Sequence, residues 1–270
     1  MIVNIAGYRF VDLPYRDEMR GPMLETCIEL ELKGTVLLSP NGINFFLAGS
    51  KDSTDSFQQY LDSDERLAGI EVKVSYTDYQ PFRRMLVKKK REIISLGMDE
   101  IRPADFTGPH IPPSELKQML DAKEDIVVLD TRNDYETRIG KFQGAVELGI
   151  PSFRDFPEAI ETLPEEYRSK TIVMYCTGGI RCEKASAVML NSGFSDVRQL
   201  DGGILAYLEE CGGTHWEGDC FVFDQRVALD HDLQESEIEM CFRCREPLSL
   251  EEQESEHYVI GEQCPYCVPL

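Results

Sequence analysis

Apolar positions in the first 76 residues follow strand and helix periods in turn. They alternate or run continuously in four segments and recur at helical spacing in two others. The predicted elements are strand 2–11, helix 16–32, strands 35–38 and 43–48, helix 55–63 and strand 70–76. The Asn41-Gly42 pair favours a tight turn between the two middle strands. The order βαββαβ predicts a ferredoxin-like domain, which we assign to residues 1–100.

A second pattern of alternating helices and strands begins after residues 102–113, which are rich in Pro and Gly and are predicted to be a linker. The predicted elements are helix 115–120, strand 126–130, helix 133–138, strand 173–175, helix 183–191, strand 197–200 and helix 203–210. This alternation predicts an α/β domain with a parallel sheet covered on both faces, which we assign to residues 101–220. Ligands of such sheets bind at the carboxyl ends of the strands.

One such strand end carries the loop Cys176-Thr177-Gly178-Gly179-Ile180-Arg181, which is followed by a helix. Inward-facing backbone N–H groups, a helix N-terminus and a fixed cation all stabilise a thiolate or persulfide over a neutral thiol. Gly178 and Gly179 permit the backbone angles that turn N–H groups inward. Cys176 is therefore the predicted catalytic residue, and Arg181 is the predicted loop cation.

The spacing in this loop separates three interpretations. A buried structural cysteine would leave the two glycines and Arg181 unexplained. Tyrosine phosphatases use Cys-x5-Arg, a cradle for phosphate, whereas this loop is Cys-x4-Arg and one residue shorter. The smaller ring suits a sulfane sulfur on Cys176, so a sulfurtransferase-type persulfide site is favoured.

The C-terminal segment, residues 221–270, contains two Cys-x2-Cys pairs separated by 19 residues. The four cysteines are Cys241, Cys244, Cys264 and Cys267. This spacing is typical of a zinc ribbon, in which four thiolates surround the ion tetrahedrally. We therefore expect a small cysteine-rich tail with a structural zinc; the alternative is four redox-active or unligated thiols.

The charge of the chain limits its partners. A formal net charge of −21 argues against charge-driven, non-specific binding to nucleic acid or anionic membrane. One basic strip exists nevertheless, formed by Arg83, Arg84, Lys88, Lys89, Lys90 and Arg91. It is either a strand edge guarded by charge or a docking strip for phosphates.

The N-terminal segment, the lack of a long apolar run and the number of cysteines indicate where in the cell the protein is expected. There is no secretory pattern at the N-terminus and no apolar run near the roughly 18 residues of a membrane helix. The nine cysteines are an odd number, which argues against a secreted disulfide scaffold. A cytoplasmic protein with reduced thiols and no membrane partner is expected.

Several segments together resemble one enzyme family. Three segments resemble those of a rhodanese domain and occur in the same order; they are 128–132, 140–145 and the Cys176 loop. A longer series resembles the rhodanese-domain tRNA uridine hydroxylases; its segments are 81–84, 130–136, 175–185, 202–204 and 216–224. The resemblance implies a ferredoxin-like domain, a rhodanese domain and a cysteine-bearing tail. It also implies oxygen-dependent formation of 5-hydroxyuridine at the wobble position of tRNA.

The resemblance also assigns residues. Cys176 becomes the catalytic cysteine, acting through a persulfide, with Arg181 as loop cation. Asp130 and Arg132 become the residues that brace the loop formed by Thr177, Gly178, Gly179 and Ile180. Three alternative roles remain open for Cys182: it resolves a persulfide, forms a disulfide with Cys176, or is an inert thiol that packs in the helix. The basic strip becomes the tRNA contact.

Two other functions compete with uridine hydroxylation. In the first, thiosulfate or a persulfide donor, either a protein or a small thiol, passes sulfur through Cys176 to an acceptor. In the second, the chain is a non-enzymatic zinc-bearing binding module, which the intact Cys176 argues against. No nucleotide-cofactor fingerprint is present, and no residue set shows how oxygen would be activated.

Overall fold

The computed structural model describes residues 1–268. It divides into two compact units, Met1–Thr107 and a second unit that begins at Gly108. Pro269 and Leu270, the last residues of the predicted tail, lie outside the described residues. No helix among residues 1–268 combines the length and the apolar character needed to cross a membrane.

The first unit is a five-stranded sheet with two helices. Its elements are β1 Ile2–Phe10, α1 Arg16–Glu29, β2 Lys33–Ser39, β3 Gly42–Gly49, α2 Lys51–Asp62, β4 Lys73–Thr77 and β5 Met85–Lys89. The strand order is β4-β1-β3-β2-β5, and all neighbours are antiparallel except β2 and β5. The predicted ferredoxin-like order is therefore confirmed. The additional strand β5 lies at one edge of the sheet.

The helices cover one face of this sheet because alternate strand residues are apolar. Ile5 and Phe45 of the central strands share a core with Met23 of α1 and Phe57 of α2. The rings of Phe45 and Phe57 meet edge to face, with centroids 5.5 Å apart. This shared apolar core holds the first unit together.

The second unit is built on a parallel sheet. Its elements are β6 His110–Ile111, α3 Pro113–Asp121, β7 Ile126–Asp130, α4 Asp134–Thr137, β8 Gly140–Phe142, β9 Val146–Glu147, α5 Phe156–Ala159, β10 Thr171–Tyr175, α6 Ile180–Asn191, β11 Asp196–Leu200, α7 Gly203–Cys211, β12 Trp216–Gly218, β13 Cys220–Phe221, β14 Ala228–Leu229, β15 Glu239–Met240, β16 Pro247–Leu248 and α8 Leu250–Gln253. Short 3₁₀ helices cover Phe153–Asp155, Ile160–Thr162 and Glu165–Ser169. The main sheet has the order β6-β11-β10-β7-β9, and every neighbouring pair is parallel, as predicted.

The end of the predicted linker belongs to this sheet. His110 and Ile111 form the edge strand β6, which pairs with β11. Gln199 donates from its side chain to the Gly108 carbonyl at 2.7 Å, and Ile111 is buried. A two-residue strand is too short to show a period, which is why the composition of the segment indicated only a linker.

The Cys176 loop follows β10, the middle strand. The carbonyl of Tyr175, the last residue of β10, accepts hydrogen bonds from the Thr131 N–H at 3.0 Å and the Thr131 hydroxyl at 2.9 Å. These bonds tie the end of β10 to the residue after β7. Gly179, inside the loop, has a left-handed φ of 98°, and α6 begins at the next residue, Ile180, so that Arg181 closes the loop from the first turn of the helix.

The N-terminus of α7 holds the loop from the other side. The N–H groups of Ile204 and Leu205 donate to the carbonyls of Cys176 and Thr177, at 3.0 and 3.1 Å. Gly203 permits this approach, because a Cβ there would lie 2.4 Å from the Cys176 carbonyl oxygen. The loop carbonyls therefore point toward α7, and loop N–H groups are left to face the sulfur.

Gly203→Ala should destabilise the second unit through this contact. Gly144→Ala is the matched control, because Gly144 has a similar φ, 72° against 67°, but open space around its Cα. The control should show the left-handed cost alone, about 1–2 kcal/mol. Gly203→Ala should cost about 1–3 kcal/mol more in urea unfolding, because the loop must shift. Equal losses of stability in the two variants would show that the close approach is not a constraint.

Candidate active site and metal centre

Cys176 is fully buried, and its sulfur is nevertheless stabilised as a thiolate. The Gly179 N–H donates to the sulfur at 3.1 Å. Burial alone raises the pKa of the thiol, but a hydrogen bond with the Cys182 side chain, the charge of Arg181 and the backbone N–H groups of Arg181 and Cys182 lower that pKa to about 5. The predicted catalytic cysteine is therefore held as a thiolate, the form of cysteine that acts as a nucleophile.

The predicted loop cation, Arg181, is bound to a carboxylate. Its two terminal nitrogens pair with the oxygens of Glu136 at 2.5 and 2.7 Å, and both side chains are buried. Among residues 1–268, the Arg181 Nε is buried without a hydrogen-bond partner. Arg181 therefore acts on Cys176 through its charge, while Glu136 fixes where that charge lies.

Glu136 is a site residue that the sequence pattern did not reveal. It closes the first turn of α4, where its carboxylate accepts from the Asn133 N–H at 3.1 Å. The Thr177 hydroxyl also donates to it, at 3.4 Å. The sequence around Glu136 carries the capping-box pattern Asn133-x-x-Glu136 just after β7, which indicates the start of a helix. This local pattern gives no sign of Arg181, the partner 45 residues further along the chain.

The predicted bracing residues form a second buried ion pair. Arg132 donates from Nε and Nη2 to the Asp130 carboxylate at 3.0 and 2.6 Å. Its Nη2 also donates to the Gly140 carbonyl at 2.6 Å. The guanidinium carbon lies 5.7 Å from the centroid of the Tyr175 ring. The pair therefore sits beside the last residue of β10, one residue before Cys176.

Two further thiols lie near the loop and differ from Cys176. Cys182, in the first turn of α6, is buried with its sulfur 3.7 Å from the Thr131 hydroxyl. Burial and the neighbouring Cys176 raise the pKa of Cys182 well above its ordinary value. Burial raises the pKa of Cys220, on β13, to about 12. None of the nine cysteines forms a disulfide.

A hairpin of β13 and β14 lies against the loop. The Phe221 carbonyl lies 3.4 Å from the Thr177 hydroxyl and shares its one proton with Glu136. The Phe221 ring meets Tyr135 edge to face, with centroids 5.4 Å apart. Phe223 follows, with its ring centroid 5.2 Å from Phe221 and 5.8 Å from the guanidinium carbon of Arg181. No strand period marks this hairpin in the sequence, because each strand has two residues.

The tail brings its four cysteines together. All four Sγ atoms lie within 4.8 Å of one another. The sulfur–sulfur distances are 3.9 Å for Cys241–Cys267, 3.5 Å for Cys244–Cys264 and 3.8 Å for Cys264–Cys267. Tetrahedral zinc with bonds of about 2.3 Å places its sulfurs about 3.8 Å apart. The cluster is therefore shaped to hold a metal ion.

The basic strip lies on and beside the edge strand β5. All six residues are exposed: Arg83, Arg84, Lys88, Lys89, Lys90 and Arg91. Lys89 pairs with Asp17 at 3.1 Å, and Arg91 pairs with Asp99. In the part of the chain that the structure describes, the other four take part in no ion pair. Exposed cations at a sheet edge fit both interpretations, namely protection of the edge strand from pairing and docking of phosphates.

Comparisons with known families match both units. A sequence model described as a UPF0176 acylphosphatase-like domain matches residues 2–93. One described as a rhodanese-like domain matches residues 112–210. A solved rhodanese-like domain from Anabaena is 26% identical over 42% of this chain and 80% of its own, with a TM-score of 0.35.

Curated relatives match nearly the whole chain. A protein named tRNA uridine(34) hydroxylase from Cupriavidus pinatubonensis is 48% identical, over 99% of this chain and 96% of its own. Proteins of the same name from Ralstonia nicotianae and Burkholderia cenocepacia are 48% and 45% identical, each over 98% of this chain and over 96% and 97% of their own. The chain therefore belongs to the tRNA uridine(34) hydroxylase family.

Proposed function

We propose that this protein hydroxylates carbon 5 of the wobble uridine of tRNA, with molecular oxygen as the oxygen source and Cys176 as the essential group. The observation that carries the proposal is the 48% identity to relatives of that name across 99% of the chain. The stabilised Cys176 thiolate, at the carboxyl end of the central strand, supplies the reactive group. Cys176 itself is fully buried, which keeps water away from its sulfur.

The reaction requires two electrons besides oxygen. One oxygen atom is inserted between carbon 5 of the base and its hydrogen, which gives the hydroxyl group. The other leaves as water after taking up two electrons and two protons. The Cys176 thiolate and the Cys182 thiol can supply both electrons and one proton, because their oxidation to a disulfide releases two electrons and the thiol proton. The second proton comes from solvent. Their hydrogen-bonded side chains support this role for Cys182. An external thiol would then reduce the disulfide by exchange.

Cys176 is also proposed to carry a persulfide, as a state of its sulfur separate from the disulfide with Cys182. The thiolate attacks the outer sulfur of thiosulfate, the sulfur–sulfur bond of thiosulfate breaks, and sulfite leaves. The same loop N–H groups that hold the thiolate would hold the terminal sulfur. Plain sulfurtransfer through this persulfide is the competing function, favoured by the lowered pKa of Cys176 and the rhodanese match.

The basic strip is the proposed contact for the tRNA backbone. Four of its cations, Arg83, Arg84, Lys88 and Lys90, lie on an exposed edge in a chain with a net charge of −21. Phosphate contacts of this kind position an RNA without reading its sequence. Local cations are therefore proposed to overcome the repulsion of the acidic body.

The four-cysteine cluster is the proposed site of a structural zinc ion. Cys241, Cys244, Cys264 and Cys267 would fill all four positions, so the ion would have no open position for chemistry. The cluster's apolar surroundings are small; Leu248 and Tyr258 are the neighbours outside the four cysteines. The metal would therefore supply most of the folding free energy of the tail.

Cys264→Ser should release the metal and unfold the tail. Cys211→Ser is the matched control, because Cys211 is a free cysteine of the same unit that lies outside the cluster. Elemental analysis should find one zinc per chain in the control and less in Cys264→Ser. Hydrogen exchange of residues 239–268 should accelerate only in Cys264→Ser. Equal metal content and equal exchange in both variants would contradict the zinc site.

Wild-type protein should add one oxygen to uridine in tRNA, and Cys176→Ser should not. The assay is mass spectrometry of nucleosides after incubation under ¹⁸O₂, where the product should carry the heavy isotope. Cys220→Ser, a buried thiol with a raised pKa, is the control that should keep activity. Without added thiol, wild type should form at most one hydroxyuridine per chain, and Cys182→Ser should form none, because it cannot donate the two electrons of the disulfide.

Two outcomes would contradict the proposal. Unlabelled oxygen in the product would exclude molecular oxygen as the source. No hydroxylated uridine, together with sulfite release from thiosulfate that depends on Cys176, would establish sulfurtransfer as the activity of the loop.

A further inference from the structure

We propose that Phe223 is the residue on which the target base stacks beside the Cys176 loop. This inference rests on the proposed RNA substrate and adds a binding residue to it. Three large aromatic residues lie in segment 216–223, and their exposure separates them. Trp216 is 7% exposed and Phe221 is 3% exposed, whereas Phe223 is 48% exposed. Only Phe223, of these three, presents a substantial part of its ring to a ligand.

Single exposed phenylalanines are common, so the position of Phe223 carries the argument. Its ring packs on Phe221, whose carbonyl accepts from Thr177 of the loop. Its ring also lies 5.8 Å from the guanidinium carbon of Arg181, the residue that closes the loop. The half-exposed Phe223 ring therefore stands next to Arg181, at the closing end of the Cys176 loop, and its neighbour Phe221 contacts Thr177 near the other end.

The turn that carries Phe223 is tied together by backbone hydrogen bonds and a buried ion pair. The Val222 N–H donates to the Val227 carbonyl at 2.8 Å across the turn. Asp224 and Arg226 form an ion pair at 2.5 Å whose two side chains are each 7% exposed. The Arg226 N–H also donates to the Asp224 carboxylate at 3.0 Å. A ring held in place before binding loses little conformational freedom when a base stacks on it.

Stacking also suits the charge of this protein. Every base has an aromatic face, and stacking on a protein ring requires no cation. In a chain with a net charge of −21, a neutral contact near the thiolate avoids bringing phosphates against acidic surface. Phosphate contacts and base contacts would therefore be divided, with the basic strip serving the backbone and Phe223 serving the base.

The test compares Phe223→Ala with Phe223→Trp and with Phe106→Ala, a phenylalanine of similar exposure in the first unit. Fluorescence anisotropy gives tRNA affinity at several salt concentrations, and the hydroxylation assay gives KM and kcat. Phe223→Ala should weaken affinity and raise KM about 5- to 150-fold, the range for losing one stacked base. Phe223→Trp should bind within a few-fold of wild type, and Phe106→Ala should be unchanged.

The salt dependence distinguishes base stacking from binding to the RNA backbone. Phe223→Ala should leave the slope of log affinity against log salt unchanged, because every phosphate keeps its cation. Joint replacement of Arg83, Arg84, Lys88 and Lys90 by Gln should make that slope shallower by about 0.7–0.9 for each phosphate that the strip neutralises. A shallower slope in Phe223→Ala would overturn the stacking role.

Other results would overturn the inference as well. Affinity in Phe223→Ala equal to that in Phe106→Ala would exclude a base contact. A loss of affinity that Phe223→Trp does not restore would indicate a structural role of the original ring. If wild type binds tRNA but forms no hydroxyuridine, the proposed reaction is wrong. The affinity measurements on the Phe223 variants would still decide whether a base stacks on Phe223.

Discussion

A negative charge on a sulfur without access to water is the constraint on which the site depends. Cys176 is fully buried, so its thiolate must be stabilised by the protein alone. The fold meets this demand through the backbone: Ile204 and Leu205 hold the loop carbonyls, and the Gly179 N–H donates to the sulfur. Gly203 is the residue whose missing side chain lets α7 approach closely enough.

Glu136 determines where the balancing charge lies. It caps α4 through Asn133 and binds both terminal nitrogens of Arg181, so the cation cannot swing away from the loop. Removing one partner of a buried ion pair typically costs about 3–5 kcal/mol, because the other charge is left unpaired. The pair Asp130–Arg132 is buried in the same way beside Tyr175. The reactive cysteine thus lies in a network of fixed, opposite charges.

The sequence predicted features that are local in the chain. Six of the seven elements of the first unit, the parallel sheet and the Cys176 loop follow from hydrophobic period and glycine placement. The Cys-x2-Cys pairs indicated the four-cysteine cluster. The sequence did not indicate Glu136 as the partner of Arg181, because that contact joins residues 45 positions apart. It also did not indicate the hairpin before Phe223. Strands of two residues, such as β6, β13 and β14, are stabilised by tertiary packing and show no period of their own.

The central claim is that Cys176 is a thiolate at neutral pH, and ultraviolet titration measures this directly. Thiolates absorb near 240 nm, so the difference between wild type and Cys176→Ser isolates one thiol among nine. The account predicts a difference signal that is present at pH 7 and disappears as the pH falls through about 5. Arg181→Gln should move that midpoint upward, because a nearby positive charge is removed. A difference signal that appears only above about pH 8.5, the ordinary value for cysteine, would contradict the account.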